Sequence, residues 1–237
     1  MTEEHKFTYV VTENRPEAPG VATLSLAVPE WYLPAFIPGQ YITVYFPETG
    51  TPEGKAYSIS SAPHEGRLEI TVRGIGEFSN RLLKAKRGDK ILGSQPYGYF
   101  YSEASDTPLI MVAAGIGITP FRSIILETLK KNPGRKLFLF HSSRSLADTV
   151  FKNEFDVLTK THHHFKLVNF ITRESTELPN TISERMTAAK ILEMVGKQQL
   201  AEYMLCGPIS FTRDLWRGFR ALGVSEEALY TEAFFSH

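Results

Sequence analysis

The hydrophobic period of this chain changes once, near Thr107, and that change constrains most of what it can fold into. Before it, apolar residues alternate with polar ones, as in Leu24, Leu26 and Val28, then Ile42, Val44 and Phe46, then Leu68, Ile70 and Val72. Strand side chains point alternately to two faces, so a period of two predicts strands with one buried face. Pro38-Gly39 and the Pro- and Gly-containing stretch from Pro47 to Gly54 interrupt these runs. Short antiparallel strands in a small barrel or sandwich follow. From residue 108 short apolar runs alternate with segments of helical spacing, the pattern of βαβ units around a parallel sheet. Leu109 to Ala114, Lys136 to His141, Phe165 to Ile171 and Glu202 to Leu205 read as strands. Helices are predicted where Phe121, Ile124, Ile125 and Leu129 share a face, where Phe151, Phe155 and Leu158 do, and over Thr187 to Val195 and Phe211 to Leu222. Thr119 suits the cap of the first and Pro120 its first turn. The expected fold class is two-domain: an N-terminal antiparallel β-barrel over residues 1–106 and a C-terminal α/β parallel-sheet domain over 107–237.

With 237 residues, 42% of them hydrophobic, the chain can bury such cores. Lys plus Arg and Asp plus Glu both number 26, so the formal charge is zero. Broad electrostatic attraction to nucleic acid or an anionic membrane is thereby excluded. One cysteine, Cys206, cannot form an internal disulfide or supply the thiolates of an iron–sulfur cluster. The N-terminal MTEEHKFTYV carries no secretory pattern, and the longest nearly pure apolar run, Leu109 to Ile118, is about half the length a membrane-spanning helix requires. A cytoplasmic protein without membrane insertion is the expectation.

Four segments carry possible chemistry. VAAGIGITPF places Gly115 and Gly117 between a buried strand and a helix start, where exposed amides and the dipole favour a phosphate. It is not the Rossmann fingerprint, since Pro120 stands where a third small residue belongs. LCGPISF makes a second strand-to-helix junction at Cys206-Gly207-Pro208, and two such crevices on one sheet would line a single cleft at the strands' carboxyl ends. There Gly207 and Pro208 would turn the Cys206 thiol toward the cleft. KAYSISSAP packs Lys55, an aromatic and hydroxyls into an extended segment, which by itself also suits an ordinary edge strand. GIGEFSNRLL puts Gly74 and Gly76 ahead of Ser79 and Asn80 at a helix start, a third anion cradle.

Taken in order with Gly39-Gln40-Tyr41 and the final TEAFF, these segments resemble the ferredoxin-NADP reductase superfamily, and more narrowly its stand-alone flavin and nicotinamide cores. The resemblance covers essentially the whole chain. It implies a flavin-binding barrel over 1–106 and an NAD(P)H-binding domain over 107–237. The implied reaction takes hydride from NADPH or NADH onto FAD, with FMN the alternative flavin. Electrons then pass singly to a redox carrier protein or oxygenase component. Tyr57 would pack on the flavin and Ser58 lie near its hydride-accepting nitrogen. Lys55, Ala56, Val72, Arg73 and Gly74 would contribute to flavin binding, with Gly76, Phe78, Ser79 and Asn80 at its pyrophosphate. Gly115, Gly117, Ile118, Thr119 and Pro120 match the nicotinamide-nucleotide pyrophosphate loop. Cys206, Gly207 and Pro208 match the motif against the nicotinamide, Glu232 matches an acidic residue near the chain's end, and Phe234 or Phe235 would cover a flavin face. The implied catalytic set is Tyr57, Ser58, Cys206 and Glu232.

One position departs from the family: Lys55 stands where arginine is expected, and lysine offers a point charge in place of a planar fork. Ser142, Ser143 and Arg144, with Arg173 as a second cation, could bond a 2′-phosphate. Adjacent histidines at 162–164 do not converge, so no metal is expected. The basic stretch Lys130 to Lys136 either solvates a helix end or docks an acidic carrier. Two other readings stay open: a reductase of free flavin, and a non-catalytic redox-sensing module.

Overall fold

The structure, a computed structural model, describes residues 6–28, 35–102, 106–196 and 200–234. It divides into two compact units, residues 1–101 with 119–127, and 102–118 with 128–237.

The first unit holds strands β1 (Lys6–Ala18), β2 (Val21–Ala27), β3 (Tyr41–Phe46), β4 (Thr51–Ser58) and β5 (Leu68–Arg73), helix α1 (Glu77–Leu83) and strand β6 (Lys90–Ser94). Their order is β4-β3-β6-β1-β2-β5, with antiparallel pairing throughout. A bridge between Ile59 and Ile70, with the Ser60 amide 2.8 Å from the Glu69 carbonyl, joins the two outer strands and makes a barrel. Its core is Tyr9, Leu24, Ile42, Ile59, Leu68 and Ile70, capped by Leu82 of α1. Gly39 is required by its setting: φ is +92°, and a Cβ there would stand 1.8 Å from the Phe100 carbonyl oxygen.

The expectation of one wet face fails for β2 and β5, whose outward residues Thr23, Ser25, Glu69 and Thr71 are buried too. The reason is a polar layer closed by the segment 119–127. Ser25 donates to Glu69 at 3.0 Å, Thr23 and Thr71 hydroxyls meet at 2.8 Å, and the Arg122 guanidinium lies 3.4 Å from the Glu69 carboxylate. Arg122 also donates to the Ser60 carbonyl at 2.8 Å.

The second unit is built on strands β7 (Leu109–Ala114), β8 (Leu137–Ser143), β9 (Phe165–Ile171), β10 (Thr181–Ile182), β11 (Glu202–Pro208) and β12 (Leu229–Phe234). All pair in parallel, in the order β10-β9-β8-β7-β11-β12. Helix α2 (Thr119–Lys131) follows β7 through a 3₁₀ turn over Gly115–Ile118 and belongs over residues 119–127 to the first unit; the helices of the second unit are α3 (Lys152–Thr161), α4 (Ala188–Val195) and α5 (Ile209–Ala221). Phe138, Phe140, Phe170 and Leu205 of the sheet bury themselves with Ile191 of α4 and Phe219 of α5. Leu109, Met111, Leu137 and Leu139, alternating with these along β7 and β8, are also buried, which explains runs apolar on both faces.

Three boundaries differ from expectation. Thr119 is the first residue of α2 and not its cap, because the 3₁₀ turn already brings Ile118 to helical angles of −72° and −18°. Phe151 lies before α3 with a left-handed φ of +58° while its ring is buried. Strands β8 and β11 run on to Ser143 and Pro208, so their motifs are strand ends and not loops.

Candidate functional site

In the parallel sheet, register aligns Glu232 with Cys206, Cys206 with Ala113, Ala113 with His141, and His141 with Asn169. Parallel strands project paired residues to the same side, so one row crosses five strands at their carboxyl ends. The two glycine motifs meet there. A Cβ on Gly117 would lie 2.4 Å from the Cys206 carbonyl oxygen, and one on Gly207 would lie 3.0 Å from the Ala114 Cβ. Only glycine lets these backbones approach so closely. Ile118 and Thr119 have buried side chains, so that loop can offer a ligand little but its backbone.

Cys206 is wholly buried, so its thiol does not face an open cleft as the flanking Gly207 and Pro208 suggested. Burial, reinforced by the Glu232 carboxylate, raises its pKa well above the ordinary value and keeps the thiol neutral. Glu232 keeps one carboxyl oxygen, Oε2, buried without a hydrogen-bond partner. Burial pushes its pKa up to about 7, so it can hold or release a proton near neutrality. Phe234 ends β12 beside Pro208 and is half-buried. Phe235 lies outside the described residues.

On the other face of the same unit a cavity of about 750 Å³ is lined by Ser142, Arg144, Thr172, Arg173 and Arg185, with Met186, Leu215 and Leu222 as its apolar wall and Asp214 among its polar groups. Ser143 is absent from this lining. Strand alternation turns it the opposite way from Ser142, where its hydroxyl is buried without a partner. Arg185 was missed by the sequence reading; its signal is a cation two residues before Thr187, the cap of α4, whose hydroxyl accepts from the Lys190 amide.

In the barrel unit the residues fall into two groups. Tyr57 stacks on Phe78 with ring centroids 6.4 Å apart, and the Lys55 ammonium lies 5.5 Å from the Phe78 centroid. Burial drives the Tyr57 hydroxyl far above its ordinary pKa, so it stays protonated. Ser58 follows with its hydroxyl oxygen buried and unpartnered, as is the Arg73 Nε. Phe78 and Val72 belong to the barrel core, while Lys55 and Ala56 are exposed. Around α1, the Ser79 hydroxyl accepts from the Ile75 amide at 2.9 Å and the Gly76 amide at 3.1 Å. Those two amides therefore already have a partner. Gly74 faces Asn80, whose Oδ1 would stand 2.4 Å from a Cβ at that position.

Among the described residues no group of three or more His, Cys, Asp or Glu side chains is placed to hold a metal, and no helix is long and apolar enough to cross a membrane.

The model of the oxidoreductase NAD-binding domain matches residues 111–216. The chain is similar to the flavohemoprotein of Chromobacterium violaceum, 30% identical over 222 residues that cover 86% of this chain and 54% of the relative. Flavohemoprotein A of Dictyostelium discoideum is 31% identical over 217 residues, covering 84% of this chain and 52% of the relative. The chain thus spans about half the length of the curated relatives it matches. Among solved structures, the FAD/NAD-binding domain of a Vibrio cholerae nitric oxide dioxygenase superposes with a TM-score of 0.84 at 25% identity, over 96% of this chain and 98% of that one. A Neisseria gonorrhoeae ferredoxin NADP+ reductase shares the fold, with a TM-score of 0.82 at 22% identity over 98% of this chain and 100% of that one. A barrel and a parallel-sheet unit in that order, an oxidoreductase NAD-binding domain in the second, and glycine motifs meeting at its strand ends make the chain similar to the flavohemoprotein and ferredoxin-NADP reductase-like proteins, and its matched domain is that of an NAD-binding oxidoreductase.

Proposed function

We propose that this chain binds FAD in a flavin unit spanning residues 1–106 and NAD(P)H in a unit spanning 107–237. It carries electrons from the nucleotide to a separate acceptor in the cytoplasm, a ferredoxin, flavodoxin or oxygenase component. The observation that carries the reading is where buried polar atoms lack partners. Ser58 Oγ, Arg73 Nε and Glu232 Oε2, all in segments assigned to cofactors, are buried without a hydrogen bond among the described residues, as are Ser123 Oγ, Ser143 Oγ and Asn169 Oδ1 elsewhere. Leaving such an atom unpaired costs on the order of 1–3 kcal/mol, and at the first three a bound cofactor would offset that cost.

Flavin, when bound, would accept hydride from nicotinamide and release the two electrons singly. The chain's own residues bind and orient. The Ser58 hydroxyl offers a hydrogen bond, and the neutral Tyr57 ring offers an apolar, polarisable face. Backbone at Gly115 and Gly117 gives a phosphate close approach. Glu232 holds a proton at Oε2 below about pH 7 and carries charge above it. The neutral Cys206 thiol beside it keeps water out.

Arg144, Arg173 and Arg185 around one cavity favour NADPH, because guanidinium forks match a 2′-phosphate better than a ribose hydroxyl. Steady-state reduction of ferricyanide tests both donor and residues. Replacing Arg144 and Arg185 together by alanine should lower kcat/KM for NADPH by about 100-fold, two charge-assisted contacts, and for NADH by about twofold at most. Equal losses for the two donors would remove the phosphate role.

One observation favours the free-flavin reading: Lys55 is exposed and Ser79 already occupies the Ile75 and Gly76 amides, which loosens the grip on a flavin phosphate. Flavin that separates from the protein on gel filtration supports that reading; flavin that co-elutes supports the electron-carrier one.

A further inference from the structure

His141 is a buried histidine that the chemistry above leaves unused. It lies on β8, 1% exposed, between Ala113 and Asn169 in the row that also contains Cys206 and Glu232. Its Nε2 is 3.0 Å from the carbonyl oxygen of Gly115. A carbonyl only accepts, so Nε2 carries the hydrogen and the ring tautomer is set. Gly115 has φ of +53°, a left-handed conformation that favours glycine, and its carbonyl meets the β8 ring. On its other side the turn is pressed against β11, where Gly117 leaves no room for a Cβ beneath the Cys206 carbonyl. The Gly115–Ile118 turn is therefore held both by a hydrogen bond from a side chain and by bare backbone contact.

We propose that His141 is a positioning residue for dinucleotide phosphate: its Nε2–H pins the Gly115 carbonyl inward and so holds the turn open for the anion. Removing the donor would leave the carbonyl to seek another partner, and the turn would relax away from the conformation in which phosphate is received. The inference rests on the reading of Gly115–Ile118 as the nucleotide phosphate loop. It adds a side chain, outside the glycine motif, on which nucleotide affinity depends.

Calorimetric titration of the full chain with NADP+ tests it, using parent protein, His141→Leu and His141→Gln. The leucine fills the space without a donor; the glutamine amide can still donate. Leucine should raise Kd and KM for the nucleotide about tenfold, the effect of one lost hydrogen bond, while kcat stays within about twofold. Glutamine should return Kd to within about threefold of the parent, a rescue that mere packing would not give. Parent and leucine variant binding equally well overturns the inference and leaves the phosphate loop standing, as does a glutamine variant no better than leucine. A parent that binds neither NADP+ nor NAD+ overturns the phosphate loop and His141 with it. Nitrogen-15 spectra of the parent imidazole need no variant to fold: hydrogen on Nε2 supports the assignment, and hydrogen on Nδ1 overturns it.

Discussion

The two units of this chain place their buried charge differently. In the barrel it sits in the middle of a sheet face: Glu69 is fully buried and lies within 3.6 Å of Arg15, Arg67 and Arg122. In the parallel sheet the middle is apolar, and polar groups are sorted to the strand ends. At the amino ends Arg135 pairs with Glu202 at 2.8 Å and donates to the Thr107 carbonyl, so that end is satisfied. At the carboxyl ends Cys206 is buried and the half-buried Glu232 keeps its Oε2 inside without a hydrogen-bond partner. Satisfied polar groups hold the frame; unsatisfied ones mark where a ligand is expected.

The sharpest way to break this comparison is at the tightest backbone contact of each unit. Gly39→Ala must both adopt a φ of +92° and displace the Phe100 carbonyl from 1.8 Å. We expect a loss of about 3 kcal/mol or more in chemical denaturation, beyond the usual range for overpacking. Gly117→Ala meets the Cys206 carbonyl at 2.4 Å without a special φ, and should cost less stability while abolishing nucleotide binding. If Gly117→Ala binds NADP+ normally, the close approach is only packing.

The buried ions come next. Glu69→Ala removes the buried carboxylate 3.4 Å from the Arg122 guanidinium, itself 4% exposed, and should destabilise by about 3 kcal/mol, the low end for a broken buried pair. Urea midpoints unchanged by this substitution would show that the polar layer is not part of the frame.

Smaller effects are expected at the sheet's carboxyl ends. Glu232→Gln and Cys206→Ala should each slow anaerobic flavin reduction in stopped flow by about tenfold, as for loss of a positioned polar group, with the fold intact. Because the folded-state pKa of Glu232 is raised from 4.5 to about 7, the stability linked to its protonation is fully present below 4.5 and lost as pH rises through 7. Parent Tm should therefore fall relative to Glu232→Gln between pH 5 and 8. A gap that stays constant over that interval would mean the carboxyl is not buried.

The smallest effect is at Lys55. Its ammonium stands over the Phe78 ring on an exposed stem, so Lys55→Arg should tighten flavin by about 1 kcal/mol through a forked phosphate contact. Weaker flavin binding would show that lysine is adapted to this site.

How much of this was legible in the sequence depended on whether a property repeats along the chain or arises between distant segments. The strand Phe165–Ile171 and the first strand Leu109–Ala114 were read to the residue, because an apolar run between polar turns is a local signal. The two glycine motifs could be paired in advance, since strand-to-helix turns of one parallel sheet share an end. The second buried face of β2 and β5 was not legible: an alternating pattern predicts one solvated face, whereas Thr23, Ser25, Glu69 and Thr71 are buried in a polar layer to which Arg122, some fifty residues on, contributes. Arg185 escaped for the same reason, being joined to Arg144 by the sheet and not by spacing. The assignment of Ser58 and Arg73 came from the family resemblance; that Ser58 Oγ and Arg73 Nε are buried without a hydrogen-bond partner among the described residues could not be read from the sequence.

The most direct test of the account is the visible spectrum of the purified chain before and after anaerobic addition of NADPH and, separately, NADH. The account predicts an oxidised flavin spectrum that bleaches on addition, faster with NADPH, as hydride passes from one cofactor to the other. A protein that takes up no flavin on reconstitution, or whose bound flavin stays oxidised with both nucleotides, would contradict it.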